Sequence, residues 1–582
     1  MQYSLEHDAS GALLFDFTAA FPSILHDFLH GVLEGLGLPP AALQVVRTLY
    51  AGHCCEVSFA GERFPGFQIT AGVRQGCPLS PLLFAAVLDP FLRHLAASVP
   101  GAAVYAYADD IAMVLQHIER DMPRVHACFE EFAAVSGLRL NLPKVVCIPL
   151  WHEDLGRVRQ RMEACCPPWA GIVIRGCARY LGFWVGPDKA QKSWQQAGER
   201  MMRRARAWPW NRLGLQYSAR AYNCYVASAA AFVGQLERVP EAFRAIEDAV
   251  LRLAAPGPYR WASRTDLFHL ASSYGQASSF ACIEVIAVAS QARVAHQEAR
   301  AAGGLQILRR AAALDRRLAA TDYVGRRVLW GHWYSDSHLF VLREALSHCS
   351  RAGAAPHDVE AALSGGEPRP WPRHVDLRAR GRLQGEIRRR LLAGVAPNAV
   401  ERCRHKLRRW RLDGLPAVVA RRVAMRFQEL VPLAPPRVRA AVLSTLWNRW
   451  TTHRRFQQRG AAGDYCLLCC GGAGASDSVE HYGRCKVVWT VAERALRLPG
   501  PGSPGAWARF LLAAPDLDPA GAPDALCRVA LLVYATYTVV NMARQQAPFG
   551  HAAVAADALE HTLREAARGH DKASRVLSRI LG

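Results

Sequence analysis

A chain of 582 residues is too long for a single hydrophobic core, so three or more structural units are expected. Its 51% hydrophobic content excludes a disordered tail, and its formal charge of +22 calls for a polyanionic partner, nucleic acid before an anionic membrane surface. The opening MQYSLEHDAS has neither a basic start nor an apolar core and so excludes a secretory signal; the 17 cysteines are expected as thiols or metal ligands in a reducing compartment, nucleus or cytoplasm.

In chain order, ALLFDF (12–17) is a short apolar strand and PSILHDFLHGVLEGLG (22–37) has helical spacing closed by glycine. CCEVSFAGERFPGFQIT (54–70) predicts a hairpin turning at Ala60-Gly61. LSPLLFAAVLDPFLRHLAA (79–97) predicts a helix with Ser80 as N-cap and Pro81 at its first position. VYAYADDIAMVL (104–115) follows as a second hairpin, then a helix over about 119–136 stopping at Gly137, then LRLNLPKVVCIPL (138–150) as strand. This β-α-α-β-β-α-β order suits a four-stranded antiparallel sheet with helices on one face.

From about 190 to 360 the pattern is helical, broken at APGPYRW (255–261), and MMRRARAWPWNRLGLQYSAR (201–220) adds a basic face. SGGEPRPWPRH (364–374) reads as a linker and LRLPGPGSPGAW (496–507) as a second joint. Residues 368–459 hold 23 Lys and Arg against 5 Asp and Glu, with Trp410, Trp447, Trp450 and Phe456 interleaved, a composition suited to stacking on and neutralising a nucleic-acid strand. VALLVYATYTVVNM (529–542) is too short to span a bilayer, so no membrane partner is expected.

Two constellations carry chemistry. Asp16 ends an apolar strand, and Asp109 and Asp110 sit in the tight turn of a hairpin, so a sheet can bring three carboxylates to one edge. Such an all-oxygen set suits Mg²⁺, and two ions there can activate a 3′-hydroxyl and stabilise a leaving pyrophosphate. Farther along, CLLCCGGAGASDSVEHYGRC offers Cys466, Cys469, His481 and Cys485, three thiols and an imidazole suited to one tetrahedral Zn²⁺, with Cys470 able to replace Cys469.

These residues resemble the reverse transcriptases of non-LTR (LINE-type) retrotransposons. FDFTAAF resembles that family's motif A, GVRQGCPLSPLLF its motif B, YADD its motif C, SGLRLNLPK (136–144) motif D and RYLGFWVG (179–186) motif E, the primer grip. The resemblance implies an α+β chain: a right-hand polymerase palm, an antiparallel sheet with helices on one face, followed by a mostly α-helical thumb and a C-terminal region with a small zinc knuckle. The domains expected are 1–187, palm; 188–363, thumb and extension; 364–459, basic nucleic-acid-binding helices; 460–495, the CCHC knuckle-like segment; and 496–582, a C-terminal helical region.

The function implied is RNA-directed DNA polymerisation by two-Mg²⁺ nucleotidyl transfer. Asp16, Asp109 and Asp110 would hold metal, and Lys144 would act as an acid near the pyrophosphate. Phe21 would exclude a ribose 2′-hydroxyl, Gln75 and Gly76 would meet template and nascent pair, and Leu181 and Gly182 would form the primer grip. Arg404, Lys406, Arg408, Arg409, Arg454 and Arg455 are the expected nucleic-acid contacts, and Asp477 and Glu480 stand where the family's knuckle carries acids. RNA template, DNA primer and dNTPs are the expected partners. Asp16 sits 15 residues after Met1, so the family's fingers are expected to be missing and catalysis impaired, with an endonuclease supplied by a missing domain or another protein. The alternatives are a non-catalytic nucleic-acid-binding remnant and a group II intron-type reverse transcriptase, which shares YADD. APDLDPAGAPDAL (514–526) only superficially resembles a restriction-like nuclease and is rejected as one.

Overall fold

The computed structural model describes residues 9–151, 154–189, 191–302, 313, 341, 344, 345, 348, 380–412, 417–456, 465–472, 475–517 and 524–581. The 364–374 linker lies outside the described residues. The chain divides into two compact units, one built on residues 1–193 and the other on Trp194–Leu308 with Val341–Gly582.

In the first unit a five-stranded sheet runs in the order β4-β5-β1-β6-β7. Its strands are β1 (Gly11–Phe15), β4 (Ala103–Tyr107), β5 (Asp110–Leu115), β6 (Val146–Pro149) and β7 (Val173–Ile174). The sheet is mixed rather than wholly antiparallel: β7 runs parallel to β6, reached through a helical crossover, α6 (Leu155–Cys165). Two residues are too few to print an alternation in the sequence, which is why only four strands are legible there. The predicted hairpin over 54–70 is present as β2 (Cys54–Phe59) and β3 (Glu62–Gln68), with Ala60 and Gly61 both at positive φ in the two-residue turn.

Alternation along the strands decides what faces where. Leu13, Phe15, Ile111, Met113 and Leu115 are buried against the helices α1 (Ala20–Ser23), α2 (His26–Gly35), α3 (Pro40–Tyr50), α4 (Ser80–Ser98) and α5 (Ile118–Ser136). Phe91 and Phe132 stack at 4.2 Å, and Phe129 lies 4.5 Å from Phe15, tying α4 and α5 to β1. Each such buried ring contributes roughly 1.5–3 kcal/mol. The opposite face carries Leu14, Ala112, Ile148 and Leu150, packed with Ala178 of a small hairpin, β8 (Ala178–Tyr180) and β9 (Phe183–Val185). Gly137 ends α5 at φ 79, as its sequence position predicts. Ser80 is not the cap of α4: Leu79 holds that position, and Ser80 is buried inside the first turn.

Among its described residues the second unit consists of helices and the loops that join them, with no strand. Trp410, Trp447 and Trp450 belong to its core and are not stacking platforms. Trp447 meets Tyr274 edge-on at 4.7 Å, Trp410 Nε1 donates to Leu446 O at 2.9 Å, and Trp450 Nε1 donates to Thr445 Oγ1 at 3.0 Å. Of the four interleaved aromatics only Phe456 is exposed. The apolar run near the end is a helix of 21 residues, Ala525–Gln545, long and apolar enough by length and composition to cross a bilayer. The sequence-based ground of shortness therefore fails. Its apolarity is accounted for by burial against the helices Pro436–Leu446 and Ala552–Ala567, because a helix apolar all round suits a core.

Candidate active site and metal centre

The β1–β5 register pairs Phe15 with Ile111, and one further step sets Asp16 opposite Asp110. Asp16 shares its face with Leu14 and Asp110 shares its face with Ala112, so both carboxylates fall on the side away from the helices. Asp109 occupies the turn between Tyr107 and Asp110, where Ala108 takes the left-handed conformation, φ 51. Burial raises the Asp110 carboxyl above the ordinary carboxylate range, and the charges of Asp109 and Asp16 push it the same way. Asp16 and Asp109 thus both disfavour a charged Asp110, and carboxylate oxygens of this kind are the donor chemistry a hard divalent cation takes. Lys144, at the end of the 3₁₀ turn Leu142–Lys144, sets its Nζ 3.1 Å from Asp16 Oδ2.

The surrounding residues are held by backbone bonds that the motifs alone do not announce. Asn141 N donates to Asp16 O and Thr18 N to Arg139 O, both at 2.8 Å, fixing the strand end against the segment that carries Lys144. Phe21 stacks on Phe84 at 4.9 Å and 12°. Val73 N donates to Phe21 O and Gly72 N to Ile24 O, both at 2.7 Å, so the loop ahead of Gln75 is docked on the Phe21 turn. Gly72 at φ 93 permits that approach: a Cβ there would lie 2.6 Å from Pro22 Cα. Gln75 and Gly76 are exposed beyond it. Gly72 went unnoticed in the sequence, although a glycine opening the motif B loop is the signal that could have marked it.

Leu181 and Gly182 form the two-residue turn of the β8–β9 hairpin, with φ 45 and 90. Both values are positive, as in a type I′ turn, where Asn-Gly is the ordinary choice and an exposed leucine is strained. Tyr180, just before the turn, donates to the Asp110 carbonyl at 3.4 Å, so the hairpin reaches the carboxylate edge. Burial and the Asp110 charge together raise the Tyr180 phenol.

In the second unit, Cys466, Cys470, His481 and Cys485 place their ligand atoms within 4.8 Å of one another. Cys466 Sγ and Cys485 Sγ are 3.9 Å apart, and Cys470 Sγ lies 3.3 Å from His481 Nε2. Tetrahedral zinc with Zn–S of about 2.3 Å requires sulfurs roughly 3.8 Å apart, so the residues fit that ion. The hydrogen bond from Cys485 pulls the Cys466 thiol down to about 4, and the same bond pushes Cys485 up. Cys469 is the correction: at φ 52 its thiol turns away and donates to Phe549 O at 2.8 Å, so Cys470 takes the fourth place. Ser478 caps the short helix bearing His481, accepting from His481 N at 3.1 Å. The wholly buried Asp477 accepts from Tyr482 Oη at 2.8 Å and from Arg544 at 2.7 and 2.9 Å, and bonds the His453 ring at 2.9 Å. Glu480 pairs with Arg454 at 3.1 Å.

The basic residues divide. Arg408 and Arg409 are exposed, Arg404 is half-buried and pairs with Glu401, and Arg455 lies 5.3 Å over the Tyr259 ring. Lys406 is buried, its Nζ 3.3 Å from Trp261 O and 5.4 Å from the Trp447 ring centre, so it is not a simple surface contact.

Residues 2–185 match the reverse transcriptase (RNA-dependent DNA polymerase) family. Similar proteins include the transposon TX1 uncharacterized 149 kDa protein of Xenopus laevis, 33% identical over 30% of this chain and 14% of that protein. The retrovirus-related Pol polyprotein from type-2 retrotransposable element R2DM of Drosophila melanogaster is 30% identical over 22% of this chain and 13% of its own length. The Pol polyprotein from type-1 retrotransposable element R2 of Bradysia coprophila is 31% identical over 31% of this chain and 22% of that protein. The chain thus spans between about an eighth and a quarter of the length of these relatives. Residues 2–185 are a reverse transcriptase domain, similar in sequence to proteins of transposable elements.

Proposed function

We propose that the protein is the RNA-directed DNA polymerase of a LINE-type retroelement, acting on an RNA template, a DNA primer and dNTPs, with the β4-β5-β1-β6-β7 sheet as its palm. The observation that supports this most directly is the facing of Asp16 and Asp110 across β1 and β5, with Asp109 in the adjoining turn. Asp16 and Asp109, with Asp110 beside them, would hold Mg²⁺, which supplies activation of the primer hydroxyl and charge stabilisation at the leaving pyrophosphate. Lys144, whose ammonium lies at the same edge, would act as an acid toward the leaving pyrophosphate. Phe21, its ring stacked on Phe84, would exclude a ribose 2′-hydroxyl. Gln75 and Gly76 offer an exposed, glycine-flexed loop to the template and nascent pair. Leu181 and Gly182 present a strained apolar tip to the primer.

In the second unit, Cys466, Cys470, His481 and Cys485 would hold one structural Zn²⁺. The exposed Arg408 and Arg409 on those helices are the cations best placed to meet the nucleic acid. Primer extension on an RNA template with Mg²⁺ and dNTPs tests the proposal. Extension that Asp109→Ala with Asp110→Ala abolishes supports it, and nucleic-acid binding without extension returns the chain to a non-catalytic binding protein.

A further inference from the structure

The APGPYRW break, which the polymerase reading leaves unused, walls a cleft of about 730 Å³ in the second unit. Its loop is pinned from beneath. Arg449 donates to Pro256 O at 2.8 Å and lies 4.9 Å over the Trp261 ring, Trp261 Nε1 donates to Ala255 O at 2.9 Å, and Lys406 Nζ reaches Trp261 O. Pinned in this way, the loop holds Tyr259 at φ 53 with 69% of its surface exposed. Phe456 stands 6.3 Å from that ring. A tyrosine in the left-handed region is strained, and an outward aromatic fixed by buried bonds is an arrangement suited to contact.

The charges lining the cleft are unevenly matched. Arg402 is paired with Asp266, and Arg264 with Glu247 and Asp248. Arg252, Arg260 and Arg409 form no ion pair with a described carboxylate, and Lys406 is buried against a carbonyl and a ring. Burial first, and then the charge of Arg402, lower the Lys406 ammonium to about 8; Arg409 and Arg455 press the same way and Asp266 opposes them. Arg252, Arg260 and Arg409 thus leave the cleft with positive charge that no described carboxylate matches. Unmatched cations beside an outward aromatic are the chemistry that holds an unpaired strand, where phosphates follow the charge and a base stacks on the ring.

We infer that this cleft is a binding site for single-stranded nucleic acid, with backbone phosphate on the exposed Arg260 and Arg409 and an unstacked base on Tyr259. The inference rests on the template–primer reading only for the kind of polymer bound. It is tested with the full-length protein and a short single-stranded RNA carrying 5-iodouridine, without dNTPs, so that a failed extension assay has no bearing on the result. Irradiation is expected to link the strand to Tyr259 or Phe456, mapped by mass spectrometry. Tyr259→Ala is expected to weaken the RNA about tenfold and to leave an abasic strand of equal length unchanged. Arg409→Gln, at an exposed position, should weaken both strands and reduce the salt slope by roughly 0.7. Crosslinks confined to other segments, or unchanged RNA affinity in both variants, would overturn the assignment. An equal loss for the abasic strand in Tyr259→Ala would overturn the stacking contact.

Discussion

The carboxylate edge of the first unit and the cysteine–histidine cluster of the second are the two sets of side chains proposed to hold metal, and they are built in opposite ways. Asp16, Asp109 and Asp110 stand at strand ends, partly open to solvent, with Asp16 and Asp109 both disfavouring a charged Asp110 and a lysine close by. Cys466 and Cys485 are buried, His481 is set by a capped helix, and Asp477 behind them is satisfied by three neighbours. An oxygen site that lacks its own neutralisation suits an ion that arrives and departs with a phosphate-bearing substrate. A buried soft site with a finished surround suits an ion that becomes part of the fold.

Removing the proposed zinc should show the largest effect, because structural zinc sites carry roughly 10–16 kcal/mol of apparent binding free energy in small domains. Cys470→Ala is expected to release the ion and lower the melting temperature sharply, whereas Cys469→Ala keeps both; zinc release and thermal melts check this. The reverse pattern would break the contrast by making the ligand set different from the one the geometry favours. At the carboxylate edge, Phe21→Val is expected to raise ribonucleotide incorporation on the order of 10–10²-fold with little change in dNTP use. Single-nucleotide incorporation kinetics measure it.

A smaller effect belongs to Lys406. The unfolded chain holds this proton to about 10.5 and the folded chain only to about 8, so below pH 8 both are charged and folding carries the full cost of burial. Stability from this group should therefore rise between pH 8 and 10.5. Lys406→Met should flatten that rise and, at pH 7, stabilise the protein by about 1–4 kcal/mol, as read from denaturant melts. Leu181→Asn should give the smallest change, about 1 kcal/mol of added stability from a better type I′ turn, while reducing primer extension.

The carboxylate edge was largely legible because each acid ends an apolar run, and alternation along β1 and β5 then decides their common face. The two-residue strand β7 was not, since it is shorter than one period of the pattern. The tryptophans were misread because a basic amphipathic helix that buries its aromatic stripe has the same composition as one that stacks on nucleic acid; only packing separates Trp447, fully buried, from Phe456, exposed. The vicinal cysteines could not be ranked by spacing, because the left-handed backbone at Cys469, which turns its thiol toward Phe549, leaves no mark in the sequence. Lys406 looked like a surface cation for the same reason: its burial depends on Trp261 and Trp447, which are distant in the chain.

The most direct test of the central claim is RNA-templated primer extension by the full chain and by Asp109→Asn at equal RNA occupancy. The account predicts Mg²⁺-dependent extension that Asp109→Asn reduces by about 10²–10³-fold or more, with RNA affinity and melting temperature unchanged. Extension that survives the substitution, or tight binding of template and primer with no extension in either protein, would contradict it.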